Sequence, residues 1–241
     1  MSKRLRAAIV GATGYGGAEL VRLVLGHPHL ELGPLVGHSK AGARVQDVLP
    51  SLTGLVDGVV ESFDAASIAQ RADLAFTGLP HSASAKVVDA LRSAGLPVFD
   101  LSADFRLTSK SVYETWYGEH GAPDRFDESV YGLCELHREA LRVADLVAVP
   151  GCYPTAALLA LAPLVANDLI STEGLVVDAK SGVSGAGRSV SSATHLPESA
   201  EGVRAYKVGG THRHTVEIEQ ELAAPRKRAG PPTVTPPPVP T

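Results

Sequence analysis

Cysteine is scarce in this chain, and its scarcity narrows the class of protein. Only Cys134 and Cys152 occur among the 241 residues. The two thiols could in principle pair, but nothing else in the sequence is typical of a secreted, disulfide-bonded scaffold. We therefore expect reduced thiols and a cytoplasmic setting. The chain also lacks an excess of basic residues, with a formal net charge of −4, which argues against a nucleic-acid-binding surface.

Long apolar runs are missing as well. The longest, residues 156–166, is too short to span a bilayer and is interrupted by Pro163. The basic start of the chain, MSKRLR, is followed by only a few apolar residues before glycines begin. This pattern favours a strand and a phosphate-binding loop over a signal peptide, so we predict no association with membranes.

The sequence does contain an alternation of strand and helix patterns. The predicted elements are a strand ending at Val10, a helix from about Ala18 to Leu25, and strands at Leu30–Val36, Leu74–Leu79, Pro97–Leu101 and 146–151, with a helix at Ser82–Ser93. Strands that alternate with helices predict an α/β fold with a parallel sheet and right-handed crossovers. We expect a Rossmann-type dinucleotide-binding domain over residues 1–151.

A glycine-rich turn, GATGYGG, joins the first strand to the first helix. Its glycines follow the spacing G-x-x-G-x-x-G. Such glycines permit a tight turn and let the helix N-terminus face a pyrophosphate. The residues predicted to bind the dinucleotide here are Gly11, Thr13, Gly14, Tyr15, Gly16 and Gly17.

No acidic residue follows the second predicted strand. A site specific for NAD places Asp or Glu there, against the ribose hydroxyls. The segment LVGHSKAGARV instead offers Ser39, Lys40 and Arg44. Because a hydroxyl with nearby cations suits a 2′-phosphate, we predict NADP(H) as the cofactor.

One of the cysteines stands at the head of an apolar helix. In AVPGCYPTAALLALAPLV, Pro154 suits a first helical turn and residues 156–165 are strong helix formers. Unpaired N–H groups and the helix dipole stabilise a thiolate at this position. We therefore predict Cys152 as a nucleophile, and we place the start of a second domain at this residue.

The second domain, 152–224, is predicted to hold a strand and a Gly/Ser-rich loop in GLVVDAKSGVSGAGRS, followed by a short helix. The last segment, 225–241, is rich in proline and has no periodicity, so we expect it to be disordered.

Within THRHTVEIEQ, His212 and His214 are candidates for a general acid and base, and their spacing does not choose between them. They could instead cap the helix. As a metal pair they lack a third ligand with clear spacing, so we predict no metal site.

Several segments together resemble a known family, the N-acetyl-γ-glutamyl-phosphate reductases of arginine biosynthesis, which are related in fold and chemistry to aspartate-semialdehyde dehydrogenase. The matching segments are Gly11–Leu25, GLPHSAS (78–84), FDLSADFRL (99–107), VYGLCEL (130–136), VPGCYPTAALLALAPL (149–164), DAKSGVSGAGR (178–188) and GGTHRHTVEIEQEL (209–222). The resemblance implies that NADPH reduces an acyl phosphate through a thioester on Cys152, with phosphate as the leaving group.

The resemblance also implies roles for individual side chains. It implies that His212 is the imidazole nearest the thiol, with His214 and Glu217 as orienting or substrate-binding neighbours. The predicted binding residues for the phosphate are Ser102 and Arg106, with Arg188 as a second candidate, and Ser181 and Gly182 are expected near the nicotinamide or the substrate. Cys134 is expected to be a buried, inert thiol.

The chain departs from the family pattern after the EIEQEL helix, where family members continue with further strands. The resemblance therefore implies an incomplete α+β catalytic domain and an incomplete surface for a homo-oligomer. An inactive remnant that still binds NADP is one alternative. Others are a cysteine hydrolase or acyltransferase, aspartate-semialdehyde dehydrogenase itself, and a ketone reductase using Tyr206 and Lys207, which are adjacent rather than at helical spacing.

Overall fold

A computed structural model describes residues 3–224. The predicted disordered tail, 225–241, lies outside the described residues. The β-strands are β1 (Leu5–Val10), β2 (Leu30–Val36), β3 (Leu74–Thr77), β4 (Val98–Asp100), β5 (Val130–Tyr131) and β6 (Leu146–Ala148). The α-helices are α1 (Tyr15–Leu25), α2 (Val45–Val48), α3 (Ala65–Arg71), α4 (Ser84–Ser93), α5 (Lys110–Tyr117), α6 (Cys134–Leu141), α7 (Cys152–Ala166), α8 (Leu196–Ser199) and α9 (His214–Ala223). Short 3-10 helices cover Pro50–Leu52, Pro123–Glu128 and Val183–Ala186.

The strands form one parallel sheet in the order β2-β1-β3-β4-β6-β5. This arrangement confirms the predicted α/β fold. The chain winds to one side of β1 to reach β2 and to the other side to reach β3, so the strand order reverses there. Ligands of open α/β sheets bind in the crevice outside the carboxyl ends of the strands at such a reversal. The glycine-rich turn after β1 lies at this point.

Alternate residues of the central strands supply the two cores of the sheet. Ala8 and Val10 pack on one face with helices α3 and α4, whereas Ala7 and Ile9 pack on the other face with α1. This division follows from the two-residue period of a β-strand, which directs successive side chains to opposite faces. Burial on both faces holds the carboxyl ends of the strands, and the loops that follow them, in fixed positions.

Helices α7 and α9 pack together against the β5 side of the sheet. Leu158 of α7 and Leu222 of α9 share a core with Tyr131 and Leu133, which belong to β5 and the loop after it. The second half of the chain is therefore joined to the sheet through these two helices. Their amino-terminal residues, Cys152 and His214, are the predicted nucleophile and one of the predicted bases.

Residues 171–211 hold no β-strand, so the strand predicted in GLVVDAKSGVSGAGRS is wrong. All but three residues of this range are exposed, and Val176 keeps 90% of its surface accessible. The physical reason is that a strand is stable only with a neighbour for its N–H and C=O groups. Among the described residues, no strand lies beside this segment. Its apolar composition is that of a strand, but the pairing that a strand requires is missing here.

Candidate active site

Cys152 is the first residue of α7 and is exposed. Strand β6 ends at Ala148, and Gly151 is the N-cap of the helix with an extended backbone, φ −64° and ψ 156°. The first turn holds no acidic residue, and no side chain caps its N–H groups. The thiol therefore stands beside unpaired helix N–H groups, where negative charge is favoured.

The ring of His214 lies against the backbone that precedes the thiol. A Cβ at Gly151 would be 2.5 Å from Nε2 of His214 and 2.8 Å from its Cε1, so the close approach of the imidazole requires glycine at this position. Burial, followed by the positive charges of Arg106 and His212, lowers the pKa of His214 to about 3. The imidazole is thus neutral over the ordinary pH range.

His212 lies beside His214, with 4.7 Å between the ring centroids. The backbone N–H of His214 donates to Nδ1 of His212 at 3.0 Å, which fixes the first ring. Burial, Lys207 and Arg213 lower the pKa of His212. Both histidine rings contact the edge of Tyr153, the residue after the nucleophile, at centroid distances of 5.2 and 5.8 Å. The structure therefore brings both predicted bases to the head of α7, and their separate roles stay predictions.

Two tyrosines complete the aromatic side of this cluster. The hydroxyl groups of Tyr153 and Tyr206 are 2.7 Å apart. Burial, and the hydrogen bond to Tyr153, raise the pKa of Tyr206 to about 12, and the charge of Cys152 acts in the same direction. Tyr206 therefore stays protonated near the thiol and can donate a hydrogen bond there.

A buried carboxylate lies beneath the nucleophile turn. Oε1 of Glu217 accepts from the N–H of Gly151 at 2.9 Å and from the hydroxyl of Tyr131 at 2.7 Å. The guanidinium of Arg106 is 3.3 Å from Oε2 and also donates to the carbonyls of Val149 and Leu101, both at 2.7 Å. Glu217 and Arg106 thus link α9 to the loops after β4 and β6. They hold the turn in place, and their predicted contact with substrate stays a prediction.

Ser102 also faces inward. Its hydroxyl donates to Asp100 at 2.5 Å, and the carboxylate of Asp100 further accepts from the hydroxyls of Thr77 and Ser84, each at 2.6 Å. All four side chains are buried. Ser102 therefore helps to close the carboxyl ends of β3 and β4, and its predicted contact with the leaving phosphate stays a prediction.

The glycines of the first loop divide into two kinds. At Gly11, where φ is +91°, a Cβ would be 2.3 Å from the carbonyl oxygen of Gly78, and at Gly17 it would be 2.2 Å from that of Gly11. At Gly14 and Gly16 the nearest atoms would be 3.6 and 3.8 Å away. Two glycines therefore allow the backbone to fold closely on itself. The other two leave open space at the head of α1, where a pyrophosphate would fit.

Cations follow β2 on the same side of the sheet. Ser39, Lys40 and Arg44 are exposed, and no carboxylate within residues 3–224 forms an ion pair with either cation. The residues present therefore fit a dinucleotide with a further phosphate on its ribose. Tyr15 is exposed and Thr13 half-buried at the same loop.

Arg188 lies at the glycine-rich loop. It donates to the carbonyl of Thr13 at 2.8 Å and to that of Val48 at 3.1 Å. Ser181 and Gly182 precede it in the same exposed segment, and the hydroxyl of Ser181 donates to the carbonyl of Gly182 at 3.0 Å. The structure thus brings Arg188 to the predicted dinucleotide loop. Its predicted role at the leaving phosphate, and those of Ser181 and Gly182 near the nicotinamide or substrate, stay predictions.

Cys134 differs from the prediction. It is exposed rather than buried, because it is the first residue of α6 and its side chain lies outside the core. The nearby His137 contacts Glu221 at 2.7 Å.

Within residues 3–224, no three His, Cys, Asp or Glu side chains form a group that could hold a metal ion. In the same range, no helix has the length and apolar character needed to cross a membrane.

Family comparisons agree with this geometry. The family described as "Semialdehyde dehydrogenase, NAD binding domain" matches residues 6–144, and "Semialdehyde dehydrogenase, dimerisation domain" matches residues 152–241. The chain belongs to the semialdehyde dehydrogenase family. In this family context, the glycine-rich loop and the cations after β2 lie within the NAD-binding domain. Cys152 is the first residue of the match to the dimerisation domain.

Curated relatives of this chain are named N-acetyl-gamma-glutamyl-phosphate reductase. The protein from Syntrophobacter fumaroxidans is 52% identical over 91% of this chain, and that from Desulforudis audaxviator is 51% identical over 90%. The chain spans 63% of the length of each of these relatives.

Solved structures show the same fold at low identity. Aspartate semialdehyde dehydrogenase II of Vibrio cholerae, complexed with ASA, is 20% identical with a TM-score of 0.53, covering 78% of this chain and 49% of its own. Aspartate semialdehyde dehydrogenase of Candida albicans, with NADP, is 18% identical with a TM-score of 0.50, covering 68% of this chain and 48% of its own.

Proposed function

We propose that this chain reduces N-acetyl-γ-glutamyl phosphate to the corresponding semialdehyde and phosphate, with NADPH as reductant. The observation that supports this reaction most directly is the position of Cys152 at a helix head with two neutral imidazoles beside it. The names of relatives at about half identity supply the substrate. The loop after β1 and the cations after β2 supply a fitting cofactor site.

In the proposed reaction, His212 accepts the proton of the thiol, because a pKa of about 3 makes His214 too weak a base and leaves it as a neutral neighbour. The thiolate attacks the acyl carbon, the bond from that carbon to the phosphate oxygen breaks, and a thioester remains on Cys152. The free N–H groups at the start of α7 can stabilise the oxyanion that forms on the way. Thioester reduction and release of the aldehyde restore the thiolate.

A bound NADPH supplies the hydride for the reduction of the thioester. The residues that would hold it are the open glycines 14 and 16, with Lys40 and Arg44 toward the ribose phosphate. Glu217 holds the N–H of Gly151 and so keeps the nucleophile turn fixed during turnover.

Location and assembly belong to the same proposal. Both cysteines are free, which suits a reducing cytoplasm. The match to a dimerisation domain supports a homo-oligomer of this chain.

The experiment that tests the reaction is run in reverse, with N-acetylglutamate 5-semialdehyde, phosphate and NADP⁺, and NADPH absorbance as the readout. Cys152→Ala should abolish NADPH formation and leave NADPH binding unchanged. Cys134→Ser is the matched control, since it removes the other exposed thiol at a helix head, and it should retain full activity. Binding of NADPH without turnover by the unsubstituted chain would contradict the proposal and favour a non-catalytic protein that binds NADP.

A further inference from the structure

Arg106, the cation predicted for the substrate phosphate, is buried and uses three of its five N–H donors within the protein. Its guanidinium donates to two backbone carbonyls and lies beside the buried carboxylate of Glu217. The side chain is only 6% exposed. A substrate with negatively charged oxygens needs a cation whose hydrogen-bond donors are still available.

Arg213 offers such donors at the same site. It is the N-cap residue of α9 and stands between His212 and His214 in the chain. It is exposed, and no carboxylate within residues 3–224 forms an ion pair with it. The central carbon of its guanidinium is 5.1 Å from the centroid of the Tyr117 ring. This contact orients the planar group and leaves its N–H donors free.

Arg213 is connected to the loop after β4 through the ring of Tyr117. Its ring partner Tyr117 contacts the ring of His81 at 5.4 Å, and His81 accepts from the backbone N–H of Ala103 after β4. Burial lowers the pKa of His81, and the charges of Arg106 and Arg213 contribute to the shift. Arg213 is thus an exposed cation that lies beside Tyr117, which is itself in contact with His81 and the loop after β4.

We propose that Arg213 binds an oxyanionic group of the substrate and so holds the acyl carbon at the thiol of Cys152. The inference rests on the proposed function, because the substrate assigned there carries both a phosphoryl group and a carboxylate. A guanidinium fits either group through paired N–H···O bonds. The ring of Tyr117 holds the guanidinium in place before the substrate arrives, which lowers the entropy lost on binding.

Alkylation of Cys152 tests, without any turnover, whether the charge of Arg213 favours anions that approach the thiol. Iodoacetate and iodoacetamide react with the same thiol, but only iodoacetate is an anion. Peptide mass spectrometry separates the alkylation of Cys152 from that of Cys134. At Cys152, the rate with iodoacetate divided by the rate with iodoacetamide should fall several-fold in Arg213→Gln. It should stay at the wild-type value in Arg213→Lys and in the control Arg204→Gln, an exposed cation of the same half of the chain. An unchanged ratio in Arg213→Gln would overturn the proposal, whether or not the chain reduces the acyl phosphate.

Steady-state kinetics of the reverse reaction identify the group that is bound, because phosphate and semialdehyde are then separate substrates. Loss of one charge-assisted hydrogen bond should raise one KM about tenfold or more in Arg213→Gln. A higher KM for phosphate alone assigns Arg213 to the phosphoryl group, and a higher KM for the semialdehyde alone assigns it to the carboxylate. Added methylguanidinium should lower the raised KM in Arg213→Ala. A fall in kcat with both KM values unchanged would overturn the proposal.

Discussion

Single residues at the candidate active site owe their chemistry to what surrounds them. His212 and His214 are the same residue type two positions apart, yet His214 is the more strongly shifted because its ring is packed against Gly151 beneath the head of α7. Cys134 and Cys152 are both exposed at the first position of a helix. Cys152 precedes Tyr153, whose ring contacts both histidines and whose hydroxyl is 2.7 Å from that of Tyr206. These neighbours are the basis of the proposed reactivity.

The shifted pKa of His214 predicts a stability that depends on pH. Its folded pKa of about 3 lies below its unfolded value of 6.5, so the unfolded chain binds the extra proton between these values. The contribution of His214 is therefore complete above pH 6.5 and is lost as the pH falls toward 3. We expect the free energy of unfolding, measured by urea titration from pH 7 to 5, to decrease by at most about 1.4 kcal/mol per pH unit for this one proton.

His214→Asn should reduce the slope of the unfolding free energy against pH by an amount that corresponds to at most one bound proton. The slope that remains should come from His81 and His212, whose pKa values are also lowered. His29→Asn, which removes an exposed imidazole far along the chain, is the control and should keep the wild-type slope. An unchanged slope in His214→Asn would show that the imidazole is not held in its neutral form by the fold.

The sequence predicts those candidate site residues whose signal is local, and their roles stay predictions. Cys152 stands before an apolar helix, and the glycines of the first loop follow a strand, so each can be recognised within about ten residues. The hydrogen bond between Gly151 and Glu217 spans 66 positions, and the fit of Gly151 to His214 depends on the packing of α9 against α7. No local pattern encodes such contacts. Arg213 was not among the predicted residues for another reason. A cation between two histidines is visible in the sequence, but only the fold shows that Arg106 is buried and bonded to the protein.

At the scale of elements, helix α9 is joined to the sheet by charged groups as well as by apolar contacts. Glu217 and Glu221 are one turn apart and both buried. The first contacts Arg106, Tyr131 and Gly151, and the second contacts His137 at 2.7 Å. The same helix begins with His214, so the position of the histidine pair depends on these buried carboxylates.

Glu217→Gln should therefore destabilise the protein strongly. Removing one member of a buried ion pair leaves the other without compensation, which typically costs about 3–5 kcal/mol. Urea unfolding monitored by circular dichroism measures the loss. Glu219→Gln is the matched control, because Glu219 is on the same helix but exposed, and it should change stability by less than about 0.5 kcal/mol. Equal effects of the two substitutions would mean that the link between Glu217 and Arg106 contributes nothing to the fold.

The prediction of helices and strands succeeded where the apolar periodicity was strong. It failed where the formation of a strand depends on a neighbouring strand. The first strand, the α1 helix and the helix at 84–93 appear with shifts of a few residues at their ends. Segment 174–180 has the β-branched composition of a strand but lies extended and exposed, since β-structure needs hydrogen bonds from a neighbour. Short helices such as α2 and α3 gave too few periods to be recognised.

The molecule as a whole combines a densely packed sheet with a long exposed segment. Residues 5–148 hold all six described strands, whereas residues 171–211 are almost entirely exposed. Helices α7 and α9 lie on either side of that segment in the chain and pack on each other and on the sheet. The exposed segment is thus held at both of its ends.

This arrangement predicts the course of limited proteolysis. Trypsin should cleave after Arg204 and Lys207 before it cleaves any site within the helices and strands of residues 5–166. Cleavage at residues 226–228 is counted separately, because these residues lie outside the described part of the chain. The fragment that contains α9 should elute together with the rest of the protein on size exclusion. Cleavage in the exposed segment leaves the contacts of α9 with α7 and Arg106 in place. Early cleavage inside the sheet, or separate elution of that fragment, would contradict the arrangement.

The order of the strands has a further consequence, which concerns aggregation through the edges of the sheet. The outer strands are β2 and β5, and an outer strand exposes N–H and C=O groups that can template the addition of a foreign strand. Strand β5 is only two residues long, and β2 contains Pro34, which has no N–H to donate. Neither edge therefore offers the long, regular ladder on which fibrils grow. A protein whose second half leaves many apolar side chains exposed is thereby protected against one route to aggregation, the joining of sheets edge to edge.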